Sequence, residues 1–157
     1  MLLVPRMLQI LTRRFGTIEV DEGAALHFPL GLPGFETQRR FALVECRAAP
    51  PLMFLQSLDL PELCFVAAPV EAIEPAYQLE LSSEDLHHLG LVENRQPPRG
   101  EVLCLAILSA PESGRPTANL LAPVVIDRAS RRAVQAVRSD SRYSHQHALA
   151  VAVETCS

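Results

Sequence analysis

Apolar runs in this chain are short, most of them five to eight residues, and they are bounded by Pro, Gly, Asp or Ser. That spacing suits strands and leaves no room for a helix of ordinary length, which needs about 10–12 residues of 3.6-fold periodicity. Residues 8–11 and 17–20 flank Phe15-Gly16 and read as a hairpin, with Ile18 and Val20 alternating against Thr17 and Glu19. Residues 25–28 follow, then a turn-rich stretch over 29–35. Further strands are expected at 41–45, 53–58, 64–68, 77–81, 102–109, 123–127 and 133–137. The run 102–108 is the most apolar and lies between Gly100 and Pro111, the pattern of a central strand buried on both faces.

Only one segment has helix grammar. Ser82 or Ser83 can serve as N-cap, Glu84 and Asp85 suit the positive end of the dipole, and Leu86 and Leu89 share a face. Gly90 can take the left-handed position past the end. Many short antiparallel strands with one small helix near 83–89 give a mainly β fold, a small antiparallel β-barrel or sandwich-like single domain over 7–147. Residues 1–6 and 148–157 have no partner pattern and read as frayed termini, with Met7 as a plausible start.

Composition narrows the class. With 157 residues, 48% hydrophobic and 20% charged, the chain can bury one sizeable core, which excludes wholesale disorder, collagen and coiled coil. No apolar run approaches the ~18–20 residues of a membrane-spanning helix, and the N-terminal stretch lacks a leading cation and a small-residue cleavage site. Cys46, Cys64, Cys104 and Cys156 are 18, 40 and 52 residues apart, with no C-x-x-C and no Cys/His knuckle. They read as reduced cysteines of a cytoplasmic protein, and neither a metal nor a cofactor is expected.

Catalytic motifs are absent: no phosphate-binding glycine loop, no nucleophile elbow and no H-E-x-x-H. His87 and His88 are adjacent on the expected helix, about 100° apart, and cannot share one ion. His145 and His147 could share a strand face but have no third ligand nearby in sequence. His27 has no nucleophile at a telling spacing. An enzyme is not expected.

Charge is uneven. Residues 1–47 hold six Arg and five acids; 48–94 hold no Arg and eight acids; 95–157 hold eight Arg and five acids, and the formal total is −4. The acidic middle is either a solvated face or a surface that attracts a basic protein. Arg128, Arg131, Arg132, Arg138 and Arg142 invite an RNA-binding alternative, but only Tyr143 lies close enough in sequence to stack a base.

Three segments combine rigidity with polar or apolar groups a partner could use. Gly31-Leu32-Pro33-Gly34-Phe35-Glu36 sets two glycines around a proline, a tight turn that either presents Leu32 and Phe35 or packs the Phe inward. Leu55-Gln56-Ser57-Leu58 places two polar residues inside an apolar run. Thr117-Ala118-Asn119-Leu120-Leu121-Ala122-Pro123 puts an Asn where it can bond its own backbone before a short helical turn ended by Pro123.

In this order, these segments resemble the flagellar assembly factor FliW family. The matching residues begin with Arg14-Phe15-Gly16-Thr17-Ile18-Glu19-Val20 and Phe28-Pro29-Leu30-Gly31-Leu32-Pro33-Gly34-Phe35-Glu36. They continue with Phe54-Leu55-Gln56-Ser57-Leu58, residues 79–91, residues 117–123 and Asp140-Ser141-Arg142-Tyr143-Ser144, so the resemblance spans about 8–147. It implies a cytoplasmic, non-enzymatic binding protein that antagonises the RNA-binding translational repressor CsrA and also binds flagellin. Flagellin export would then free it to bind CsrA and relieve repression of flagellin mRNA. The implied partners are therefore proteins, with no direct nucleic-acid or membrane contact. The candidate partner-binding residues are Phe35, Gln56, Asp59, Glu62, Glu71, Glu74 and Asn119, and Gly31, Pro33, Gly34 and Pro123 are the structural motif residues.

Overall fold

The computed structural model describes residues 6–110, 114–140 and 142–149. Antiparallel pairing dominates. The hairpin of β1 (Met7–Thr12) and β2 (Gly16–Asp21) stands as a separate two-stranded sheet. The main sheet runs in the order β10 (Ala133–Gln135), β9 (Val124–Asp127), β7 (Val102–Ser109), β6 (Cys64–Pro69), β5 (Met53–Ser57), β4 (Arg40–Glu45), β3 (Leu26–His27). β7 is its hub. It pairs with β6 on one edge, and with β9 and then the two-residue β8 (Thr117–Ala118) on the other; β8 in turn pairs with β11 (His147–Ala148).

The period of two sorts the side chains into two faces. Across the rungs Leu43, Leu55 and Phe65, then Ala67 with Ile107, and Leu105 with Val124, one face packs on Leu26, Phe28 and Leu32. The opposite face is covered in three places. The hairpin sets Ile10 and Val20 on Ala42 and Leu58; Tyr77 and Leu120 cover Ala68 and Ala106; and Leu86 and Leu89 cover Val102, Val125 and Val134.

The sheet does not close into a barrel. Its two ends meet at one parallel bridge, His27 to Arg132, where the His27 N–H donates to the Arg131 carbonyl at 2.9 Å. Strands of two and three residues are too short to carry a closing ladder with the stagger a barrel requires.

The expected helix forms at α2 (Ser83–His88) with a reciprocal cap: the Ser82 hydroxyl accepts from the Asp85 N–H, and the Asp85 carboxylate accepts from the Ser82 N–H. Gly90 follows at φ +74°. A second helix, α1 (Val70–Ile73), was not anticipated; its N-cap is Pro69, which offers no capping side chain.

Three further expectations are corrected. Residues 77–81 bury Tyr77 and Leu81 in strand-like alternation but join no ladder. Their backbone is met by side chains instead: Gln78 N–H donates to the Tyr143 hydroxyl at 2.9 Å, and the Gln96 amide bonds both the N–H and the C=O of Leu81 at 2.9 Å. The helical turn expected before Pro123 is absent. The four cysteines are not all reduced. Cys64 and Cys104 are free, but Cys46 is disulfide-bonded.

Most of the termini expected to fray also fall outside the described residues. At their inner ends, the Arg6 carbonyl accepts from Glu22, and the Leu149 N–H donates to Pro116. No described helix is long and apolar enough to cross a membrane.

Candidate functional site

The 28–36 loop is built around Gly31. Its φ is +63°, and a Cβ there would stand 2.6 Å from the Glu36 carbonyl oxygen, so only glycine fits. Leu32 and Phe35 then exchange backbone hydrogen bonds (Phe35 N–H to Leu32 O at 2.7 Å), which turns the two side chains to different fates. Leu32 is 2% exposed, in the core; Phe35 stays 37% exposed with its ring edge-on to Phe65 at 5.7 Å. The Glu36 carboxylate accepts from the Gly34 N–H at 3.1 Å, and backbone bonds from Glu36 itself and from Gly34 hold its pKa below the usual carboxylate range.

The 117–123 segment comes in from the other side. Asn119 donates its N–H to the Ile107 carbonyl at 2.9 Å, and its side-chain oxygen accepts from the Ala122 N–H at 3.0 Å. Leu120 is fully buried, and its carbonyl accepts the Tyr77 hydroxyl at 2.7 Å across 43 residues. Pro123 offers its carbonyl to the Ala136 N–H at 2.8 Å.

Between the two segments lies an open groove of about 730 Å³. Leu32, Pro33, Phe65, Ile107, Ala122 and Val137 give it an apolar lining, and Asn119 and Gln135 contribute amides. Among the described residues no Asp, Glu or Arg lines it, and His145 is its one titratable side chain. It is suited to an uncharged, partly apolar segment whose backbone can take hydrogen bonds from the rim. Pro33 and Asn119 are thus brought together, with Phe35 against the groove through Phe65. Sequence reasoning missed Phe65, Ile107, Gln135 and Val137. The one signal available for them was Val137, an apolar residue at the end of a strand run, which the structure leaves 62% exposed.

The other candidates lie elsewhere. Gln56 is wholly buried, and its amide donates to the carbonyls of Ser57 at 3.0 Å and Pro61 at 3.3 Å, so it braces the turn between β5 and β6. Its side-chain oxygen has no partner among the described residues. Asp59 is held by Arg40, Nη2 to Oδ1 at 2.7 Å, an ion pair that raises the Arg40 pKa. Glu62 shares a shallow pocket with Arg13 and Arg14. Glu71 lines another pocket with Arg99, and Glu74 accepts from the Ala76 N–H at 3.2 Å. The six-residue strand β6 separates Asp59 and Glu62 from Glu71 and Glu74, which is about 20 Å of extended chain. The four carboxylates therefore do not make one acidic face.

The arginine cluster is divided in the same way. The Arg138 side chain is 2% exposed and is paired with Asp140 through Nε and Nη2, both at 2.9 Å; it also bonds the Gln78 carbonyl. Arg142 bonds the Gln78 side chain. Arg131 sits at φ +66° in the turn between β9 and β10, its N–H donating to the Asp127 carbonyl at 2.9 Å. His87 reaches Glu93 at 2.9 Å, and no cluster of three or more His, Cys, Asp or Glu suited to a metal exists among the described residues.

The sequence matches the FliW protein family over residues 9–149, nearly the whole described chain. The chain belongs to the FliW family. Among its curated FliW relatives is the flagellar assembly factor FliW of Heliobacterium modesticaldum, 36% identical over 143 residues and covering 90% of each chain. The flagellar assembly factor FliW of Syntrophomonas wolfei subsp. wolfei is 34% identical over 141 residues, 89% of this chain and 87% of the relative. The fold is similar to a crystal structure of the flagellar assembly factor FliW, with a TM-score of 0.78 at 29% identity, covering 89% of this chain and 95% of that one. The glycine-proline loop and the 117–123 segment that flank the groove both lie within the matched FliW span.

Proposed function

We infer that this chain is a cytoplasmic, non-enzymatic flagellar assembly factor that binds the translational repressor CsrA and binds flagellin. In this reading flagellin occupies the protein until export removes it. The freed protein then binds CsrA and relieves repression of flagellin mRNA. The observation that carries the reading is the groove between two segments of the FliW-matched span, lined by apolar side chains and amides and, among the described residues, by no Asp, Glu or Arg. A surface of that kind suits a protein segment better than a nucleic acid, whose phosphates call for clustered cations.

The test is a calorimetric titration of the full chain with CsrA and with flagellin from the same cell, singly and in competition. Saturable binding of both supports the reading, and no binding to either overturns it. A gel shift with the flagellin leader RNA separates the RNA-binding alternative. Of its five arginines, Arg138 and Arg142 are already engaged within the fold, so no shift is expected.

A further inference from the structure

The hairpin leaves one strand edge open. Among the described residues β1 pairs with β2 alone, so alternate N–H and C=O groups of Met7–Thr12 face away with no strand beside them. Folded proteins blunt such edges with charge, proline or a bulge, and β1, with the sequence MLQILT, has none of these. Its outward side chains add to the exposure: Met7 is 50% and Leu11 65% exposed, with the exposed Gln9 between them. Among the described residues, Met7 and Leu11 are two of six exposed large hydrophobic side chains.

Charge along the hairpin is polar end to end. Its turn carries the exposed Arg13 and Arg14. Its foot carries Glu19, Asp21 and Glu22, with Arg6 paired to Glu22 at 3.5 Å. Two such hairpins are complementary only when antiparallel.

We propose that β1 is a homodimerisation edge on which two copies of this chain pair antiparallel about a two-fold axis at Gln9. That register sets each Met7 across from the other copy's Leu11 and Gln9 across from Gln9. It also brings each arginine-bearing turn to the other's acidic foot. Apolar pairs directly across an antiparallel ladder stabilise it, and a two-fold interface is self-complementary by construction. This surface is separate from the groove, so the dimer does not depend on the reading of the partners above.

Sedimentation velocity of the full chain, from low micromolar to several hundred micromolar, tests it. Wild type is expected to shift with concentration toward the mass of two chains. Gln9→Lys puts two ammonium groups face to face on the axis and is expected to weaken self-association about tenfold. Mixing Gln9→Lys with Gln9→Glu is expected to restore it as a heterodimer, while each variant alone keeps its wild-type melting temperature at low concentration. A chain that stays monomeric throughout overturns the proposal; that outcome includes an edge reserved for a different protein. A dimer indifferent to charge at position 9 overturns it as well.

Discussion

The guanidinium of Arg138 and the carboxylate of Asp140, two residues apart, form a fork of two 2.9 Å hydrogen bonds, and only the arginine side is buried. Arg138 also meets the Gln78 carbonyl and stands 5.0 Å from the Tyr143 ring centre. It thereby ties the segment after β10 to residues 77–81, which have no ladder of their own.

Removing Arg138 leaves this junction without its cation. Arg138→Ala is expected to cost about 2–4 kcal/mol, the loss of several charge-assisted bonds from a buried site. Urea denaturation should show a lower midpoint with an unchanged slope.

The same pair gives a pH dependence of known sign. Asp140 is held below its ordinary pKa, chiefly by the hydrogen bonds from Arg138. A lowered folded-state pKa contributes stability that is present above the unfolded value of about 3.9 and is lost as pH falls through the folded value. The melting temperature of wild type should therefore drop below about pH 4 more steeply than that of Asp140→Asn.

Gly31 and Gly34 both have positive φ, at +63° and +86°, but only Gly31 has backbone where a Cβ would go. Gly34→Ala should cost about 1–2 kcal/mol from conformation alone. Gly31→Ala should cost distinctly more, because the Glu36 backbone must also move. Chemical denaturation of the two variants gives the order directly.

Tyr77 is buried, and desolvation raises its phenol to about 12. A raised folded-state value means its contribution is complete below the unfolded pKa of about 10 and is lost as pH climbs toward 12. Ultraviolet titration of tyrosinate should show a late component that is missing in Tyr77→Phe. That variant should also lose about 1 kcal/mol with the bond to Leu120.

Val137 is 62% exposed and lines the groove, so Val137→Asp should leave the melting temperature nearly unchanged. A partner seated in the groove would have to desolvate the new carboxylate, and its Kd should rise at least about tenfold. Calorimetry with CsrA and flagellin reads this out.

The local elements were legible in the sequence because their causes are local. Strand period, the Ser82–Asp85 cap, Gly90 past the helix and the glycines of the 31–36 turn each act within a few residues. Residues 77–81 misled because alternation reports a buried face, not a hydrogen-bonded neighbour. Their partners are the side chains of Gln96 and Tyr143, far along the chain. β8 and β11 escaped notice because two residues carry no period. Of the candidate site, the sequence marked Pro33, Phe35 and Asn119, but not the Phe65 and Ile107 wall between them.

By itself the sequence determined a mainly β chain of short punctuated strands, and motifs in an order that identifies the family. Only the tertiary structure decided where the charges act. A linear count makes residues 48–94 acidic and 95–157 basic. Folding lays Arg138 beside Glu80 and Arg40 on Asp59, and among the described residues it sets no acid or arginine in the groove. Electrostatics follows distance in space, and a sheet brings together residues that the chain keeps far apart.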